Sequence, residues 1–394
     1  MFQFFLILTA LSGCNKTAEG FGAAKMDSGR SEESETVPDT EDDDADGDGE
    51  ASDVPGGSSD HADDTDQDAD DGGAVDETET SDSPEGFIGS PCESDSDCTF
   101  EDGICLTDGF PNGHCSVECD RYCPDADGHP VTFCVDGSTI SDAGLSGGWC
   151  VSRCSFGHYA LEGCRDDYGC VVEPRFGEPG SETYACLPGG VTDLSDCQYE
   201  LAARGVGFEP TIRAVDFPDG RPDKECEIVD PVWVDTPVLG VDLRYVESEA
   251  PARLLAGCEM AHALANTVED VAVHGVQTLL HIGSYNCRMI SGTDSLSEHG
   301  FANALDIYGF EFDDGRVWTL IDDWEHDTVS PTTEAGQFLY ESSRRWYDDW
   351  IWNIILTPNY NLAHDNHFHV DLKPDYHDIS FTGARYYGPA PYSD

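Results

Sequence analysis

The sequence predicts an α+β domain at its C-terminal end, preceded by a disulfide-rich module and a disordered acidic linker. Three observations carry this. Apolar residues recur with helical and strand periods only past about residue 197, twelve of the 17 cysteines lie within residues 92–186, and residues 31–85 hold 24 Asp and Glu with no Lys or Arg. The 394 residues suffice for two or three domains of ordinary size. The formal charge of −61 is spread along the chain: residues 86–196 carry 4 cations against 20 acids, and residues 197–394 carry 12 against 34. Nothing past residue 30 has the basic balance that a phosphate backbone requires, which excludes nucleic-acid binding, and a flat basic membrane-binding face is equally absent. Only four of the 19 cations are Lys, a bias that suits a saline habitat as well as it suits plain solubility.

Taken in order, residues 2–12 form an apolar run too short to span a bilayer as a mature helix. It ends in Leu11-Ser12-Gly13-Cys14, which resembles a bacterial lipobox. That resemblance implies a signal peptide over residues 1–13, lipidation of Cys14, membrane attachment through the lipid, and a place in the cell envelope. Asn15 is compatible with outer-membrane sorting, facing the periplasm or the cell surface. Setting Cys14 aside leaves 16 cysteines, the even number that full disulfide pairing in an oxidising compartment would use. Residues 14–85 then read as a tether. They contain almost no large apolar side chain to offset the entropy of ordering, and like charges stretch them beyond the roughly 45 Å of a random coil of this length. Asp44, Asp46 and Asp48 resemble the start of a calcium loop, but Pro55 stands where the closing Glu belongs, so a solvated spacer is the expected reading.

Residues 86–190 are filled with Gly, Pro, Asp and Ser between the cysteines and show slight apolar periodicity. Such a segment is expected to have little core and to rely on cross-links. His114-Cys115-Ser-Val-Glu-Cys119 and Trp149-Cys150-Val-Ser-Arg-Cys154 look like one turn used twice, hinting at two small repeats. The cysteine spacing is not a paired zinc pattern, and a spacer or adhesion role is expected. The domain proper runs over residues 191–394. Leu254, Leu255, Cys258 and Ala261 give helical spacing across 251–273. Strands are expected at 276–283, 302–310, 315–321, 352–357 and 367–372, with a further helix near 332–346. The cluster Trp346, Tyr347, Trp350 and Trp352 is expected in the core, and His262, His274, His281, His326 and His377 are ordinary core or surface residues.

Two segments carry chemistry: Ser297-Glu298-His299-Gly300-Phe301-Ala302-Asn303-Ala304-Leu305-Asp306 and His364-Asp365-Asn366-His367-Phe368-His369-Val370-Asp371. Residues two apart in a strand share a face, so His367, His369 and Asp371 point one way while Phe368, Val370 and Leu372 enter the core. Three ligand-capable side chains on one face are costly if buried without partners. Gly300 is expected to supply the turn that lets His299 and Asp306 converge. Two histidines and a carboxylate make a three-ligand zinc set with a fourth position open, the arrangement of a catalytic rather than a structural site. Zinc in such a site acidifies a bound water and polarises a carbonyl, and a histidine two residues from a ligand is placed to take the proton.

Cys197…Gly205-Val206, Cys226, Cys258, Gly283-Ser284-Tyr285-Asn286-Cys287-Arg288, Ser297-Glu298-His299, Asn303-Ala304-Leu305-Asp306, Pro358-Asn359-Tyr360-Asn361 and His367-Phe368-His369-Val370-Asp371 together resemble the bacterial extensin-like C-terminal family, a branch of the hedgehog/D-Ala-D-Ala zinc peptidase superfamily. The resemblance spans about residues 197–373. It implies zinc bound by His299, Asp306 and His369, His367 as base with His364 nearby, and Arg288, Ser297 and Tyr285 on the substrate side. Arg288 would meet a substrate carboxylate, with an ion pair to a neighbouring acid as its plain alternative. It also implies disulfides Cys197–Cys226 and Cys258–Cys287, with six further bridges confined to 92–186. Asn366 departs from the family's pattern, in which an acidic residue precedes the two histidines. The implied function is a lipid-anchored zinc peptidase or amidohydrolase cleaving peptidoglycan stem peptides or other peptides with D-amino acids. The alternative is a non-catalytic surface-binding or adhesion lipoprotein with a vestigial zinc site.

Overall fold

The computed structural model of the chain describes residues 86–140 and 144–373, with the strand 385–387. The lipidation site Cys14, the tether, the calcium-like run at 44–48 and His377 lie outside the described residues. No helix among the described residues is long and apolar enough to cross a membrane.

Cysteine spacing organises the first hundred described residues. Strands β1 (Ile104–Leu106) and β2 (His114–Ser116) form an antiparallel hairpin with Cys105 opposite Cys115. Their sulfurs are bonded back to Cys92 and Cys98. The same plan recurs downstream. After β3 (Glu118–Cys119), β4 (Thr132–Asp136) with the one-turn helix α1 (Gly137–Ile140) pairs with β5 (Gly148–Ser152), setting Cys134 opposite Cys150, bonded to Cys119 and Cys123. Strands β6 (Tyr168–Pro174) and β7 (Glu182–Pro188) set Cys170 opposite Cys186, bonded to Cys154 and Cys164. Each unit therefore joins its first cysteine to its third and its second to its fourth. The sequence suggested two repeats, and the structure has three. Cys115-x-x-x-Cys119 and Cys150-x-x-x-Cys154 are the junctions between units, so two copies of that turn separate three hairpins. The six bridges stay within 92–186, as expected, and loops of this size are each worth about 2–4 kcal/mol. The module also has more core than its composition promised: Phe133, Val135, Trp149, Val151 and Leu187 are buried together where the hairpins meet.

His114 lies in that module with both ring nitrogens buried and unbonded, between the rings of Phe110 and Tyr168. Burial, reinforced by the Arg165 guanidinium, pushes its pKa down to about 3, and the Cys150 carbonyl, which also accepts from Ser116 Oγ at 2.7 Å, opposes this only weakly. A folded-state pKa below the unfolded value of about 6.5 means that the unfolded chain takes up the proton first, so stability should fall as pH drops from about 6.5 toward 3, by at most about 5 kcal/mol from this group. His114→Phe should flatten that decline in a thermal-midpoint series. Parallel curves for parent and variant would assign the acid sensitivity elsewhere.

The C-terminal domain begins with α2 (Asp196–Ala203), capped by Ser195 Oγ accepting from the Gln198 amide. Strands β8 (Phe208–Pro210) and β9 (Pro231–Val234) follow, then β10 (Asp242–Tyr245) and β11 (Leu254–Gly257), which leads into α3 (Cys258–Ala272). Strands β11, β9 and β8 make a small antiparallel sheet. The expected helix at 251–273 thus starts at Cys258. Leu254 and Leu255 fit either period, and pairing with Val234 and Trp233 makes them strand.

Strand β12 (Val276–Gly283) matches its expected bounds, and β13 (Ala304–Phe312) lies beside it. Strand β14 (Val317–Thr319) is shorter than the expected 315–321, because Thr319 caps the short helix α4 (Leu320–Asp323). Helix α5 (Glu334–Asp348), β15 (Ile354–Leu356), β16 (Phe368–Asp371) and β17 (Arg385–Tyr387) complete the domain. The main sheet runs β10-β12-β13-β16-β15-β17, with β14 also paired to β13. One edge of β13 is shared, β16 taking residues 304–307 and β14 residues 309–311.

The core lies between this sheet and helices α3 and α5, where Leu305, Ile307, Ile355, Phe368 and Val370 meet Leu264, Val268, Leu339 and Trp346. The buried indoles find acceptors, Trp346 Nε1 at Asp270 Oδ2 and Trp352 Nε1 at Thr267 Oγ1, both at 2.9 Å. Trp350, expected in the core with them, is half exposed at a left-handed backbone position just past α5.

The domain's bridges are Cys197–Cys258 and Cys226–Cys287 rather than the expected Cys197–Cys226 and Cys258–Cys287. Cys197 is in the first turn of α2, which packs on α3 and brings it to Cys258, while Cys226 and Cys287 lie on two loops that face each other. The first-to-third, second-to-fourth order of the module therefore holds here as well.

Candidate metal centre

The period-two argument puts His369 on the polar face of β16, and the register then sets it directly opposite Asp306 on β13. Phe368 and Val370 on the other face are fully buried and hold the strand against the helices. His299 arrives from the short 3₁₀ turn Glu298–Phe301. The residue that makes this turn possible is Ala302, at φ 47°, and not Gly300 as the sequence suggested. Gly300 is needed for room, because a Cβ there would come within 2.8 Å of Cys226 Sγ.

His299 Nε2 lies 3.2 Å from Asp306 Oδ1 and 3.1 Å from His369 Nδ1, and the last two atoms are 2.9 Å apart. The other nitrogen of each histidine is engaged. His299 Nδ1 meets the Ser284 carbonyl at 3.0 Å and His369 Nε2 meets Asp371 Oδ2 at 3.0 Å. Both partners only accept, so in the neutral rings these nitrogens carry the protons, and Nε2 of His299 and Nδ1 of His369 are the atoms left to hold a cation. Three lone-pair-bearing atoms then converge in a buried place, which is unfavourable unless a positive charge lies among them. Their separations are within a few tenths of an ångström of the ~3.3 Å edge of a tetrahedron with ~2.05 Å bonds, so the donor set fits zinc. The electrostatics agree. Burial alone would raise the Asp306 carboxyl, but the facing rings of His299 and His369 hold it far below the ordinary range. Burial likewise disfavours a charged His369, yet Asp306 and Asp371 outweigh it and lift its pKa to about 9, so where no cation lies among the three atoms a proton on Nδ1 supplies the positive charge, and a bound cation would displace it.

His367 Nε2 lies 3.5 Å from Asp306 Oδ1, and its Nδ1 is 2.8 Å from Asn366 Oδ1. The residue that departs from the expected acidic pattern thus still supplies an oxygen acceptor, without the charge. Burial keeps the His367 pKa low. His364, on the turn Leu362–His364, stands 5.2 Å from His367 ring to ring, and its Nδ1 donates to Asn361 Oδ1 over 2.8 Å. Burial and the neighbouring His367, His369 and Arg288 charges push it down to about 4. Arg288 is exposed, close enough to act on both of these histidines, and makes no ion pair among the described residues. Ser297 is buried, and its backbone amide donates to the Arg288 carbonyl at 3.0 Å. The Tyr285 hydroxyl donates to Asp216 Oδ2 at 3.2 Å under the Arg213 guanidinium. Both thereby brace the loops that the Cys226–Cys287 bridge joins. Asp371 and the Ser284 carbonyl were not among the sequence-derived site residues. Asp371 was legible from its shared face with His369, while a backbone carbonyl leaves no sequence signal.

A mixed α/β domain with a buried His-Asp-His donor set at the centre of its sheet is thus the class defined by fold and site. Residues 195–380 match the family described as extensin-like protein C-terminus, and this part of the chain is an extensin-like C-terminal domain. Comparison with curated proteins and with solved structures finds no match.

Proposed function

We propose that the chain is a zinc-dependent peptidase of the hedgehog/D-Ala-D-Ala type, lipid-anchored through Cys14 in the bacterial envelope and acting on peptidoglycan stem peptides. The observation that carries this reading is the convergence of His299 Nε2, Asp306 Oδ1 and His369 Nδ1, each with its remaining polar atoms arranged to leave a lone pair pointing inward. Zinc, when bound there, supplies Lewis acidity toward water and the scissile carbonyl. The chain's own residues do the rest. Ser284 and Asp371 hold the two ligand rings in one tautomer. His367, neutral and with Nδ1 tied to Asn366, offers Nε2 to take a proton from the attacking water and to return it to the leaving amine. His364 is the neighbouring group able to share that proton. Arg288, exposed beside these histidines, suits a substrate carboxylate, which a guanidinium recognises through paired N–H donors.

Zinc analysis is the direct test. The purified chain should carry one zinc, and His299→Ala, Asp306→Ala and His369→Ala should each lose most of it, because a three-ligand site does not survive the loss of one ligand. Full zinc in all three variants would remove the centre from this position. Release of peptides from purified peptidoglycan, abolished by chelator and restored by zinc, then tests the substrate class. A zinc-loaded parent that cleaves no such peptide would favour the binding-lipoprotein reading.

A further inference from the structure

After β12 ends at Gly283 the chain runs through residues 284–296 before it returns in the turn Glu298–Phe301 that carries His299. The turn leans on this segment at three places. His299 Nδ1 meets the Ser284 carbonyl at 3.0 Å, the His299 carbonyl accepts from the Asn286 amide at 3.0 Å, and the Ser297 amide donates to the Arg288 carbonyl at 3.0 Å. Cys287 stands in the middle of these three contacts. Its partner Cys226 is 1% exposed and sets its sulfur against the turn itself, where a Cβ on Gly300 would come within 2.8 Å of it. The bridge thus reaches the support of His299 from both sides. One sulfur sits in the segment that holds the ring, and the other packs on the backbone that carries it.

Little else could do this work. Ser284 is anchored by its own hydroxyl, which donates to the Leu255 carbonyl at 2.6 Å. Past it, the polar ties from this segment to the loop that carries Cys226 lie at the surface. Arg221 pairs with Asp294 at 2.7 Å, Lys224 Nζ donates to the Asp294 carbonyl at 2.9 Å, and the Tyr285 hydroxyl donates to Asp216 at 3.2 Å. The Asp294 side chain is 78% exposed, and ion pairs in that setting hold a loop weakly. We propose, on the zinc reading of the centre, that the Cys226–Cys287 bridge is its positioning element: it fixes the His299 ring among the other two donors and so sets the affinity for the metal, beyond its share in the stability of the domain. Groups that orient a ligand ring typically change metal affinity by about 10–100-fold when lost. The centre is then complete only in a chain whose bridge has formed, which ties the metal site to the same oxidising conditions that close the cysteine module.

The domain supplies its own control. Cys197–Cys258 joins α2 to α3 and spans the same 61 positions as Cys226–Cys287, so opening either bridge frees the unfolded chain to a similar degree. Zinc affinity of the full chain, measured by competition with a chelator, should fall by about 10–100-fold when Cys226→Ala and Cys287→Ala are combined, and should stay near that of the parent when Cys197→Ala and Cys258→Ala are combined. Gly300→Ala keeps the bridge but presses the turn against the Cys226 sulfur, so it should weaken zinc as well, and adding it to the Cys226 and Cys287 pair should cost nothing more. Should the Cys226 and Cys287 pair fail to fold, Gly300→Ala alone carries the test. Hydrogen exchange of the metal-free chain needs no zinc: the Asn286 amide should exchange faster once Cys226–Cys287 is opened and not once Cys197–Cys258 is. A parent that holds no zinc would therefore overturn the metal reading, while the exchange still decides whether the bridge holds His299. Unchanged affinity and Asn286 protection without Cys226–Cys287, equal losses in the two paired variants, or full affinity in Gly300→Ala would each overturn the positioning role.

Discussion

His367→Ala should keep a full complement of zinc and lose peptide hydrolysis by about 10²–10⁴-fold, the contribution typical of a positioned general base. His367 is not one of the three atoms that converge on the metal position, and the ring nitrogens of His299 and His369 are held by Ser284 and Asp371 whatever stands at 367. Its Nε2 nevertheless lies 3.5 Å from Asp306 Oδ1, at the edge of the donor set, where a water held among those atoms is within its reach. The loss should therefore appear in kcat with KM little changed, and the thermal midpoint should stay near that of the parent. His364, 5.2 Å away, can take over part of the proton traffic, so His364→Ala alone should be mild and the double variant worse than either. Added imidazole should restore part of the rate to His367→Ala. A variant that turns over as fast as the parent would assign the base elsewhere, and one that also loses its zinc would make His367 a ligand.

The site was readable because its logic is local. An HxH pair in a strand can only put both rings on one face, and Phe368 and Val370 identify which face is the core. The seven-residue step from His299 to Asp306 demands a turn, although which residue makes it was not readable. Ala302 adopts the left-handed conformation and Gly300 is small for the sake of the Cys226 sulfur, a contact between positions 74 residues apart. Strand β12 was legible in full, whereas the small sheet of β8, β9 and β11 was not, since strands of three or four residues are too short to show a period. Disulfide pairing failed for the same reason of range. Order along the chain does not say that α2 packs on α3, which is what brings Cys197 to Cys258.

Phe156→Ala, a change in the cysteine module, should destabilise the C-terminal domain by about 3–5 kcal/mol, the cost of emptying a buried aromatic site. The ring of Phe156 stacks on that of Phe208 in β8 with centroids 4.5 Å apart and an angle of 9°, and its backbone amide donates to the Phe208 carbonyl at 2.8 Å. Both rings belong to the hydrophobic core of the domain, with Val206, Val232 and Leu254. Beside them Glu209, 2% exposed, is shared by Arg253 of the domain and Arg153 of the module. Gly157 is part of the same seam, since a Cβ there would come within 2.4 Å of Asp235 Oδ2. The module and the domain are therefore not beads on a string: the described residues of both fall in one compact unit, and the seam is a piece of shared core. Calorimetry of the full chain should show a single transition that Phe156→Ala moves as a whole. A chain beginning at residue 191 should melt well below the parent, because it exposes Phe208 and leaves Glu209 with one cation fewer. Identical midpoints for the short and full chains would mean that the domain carries its own stability and that the seam adds none.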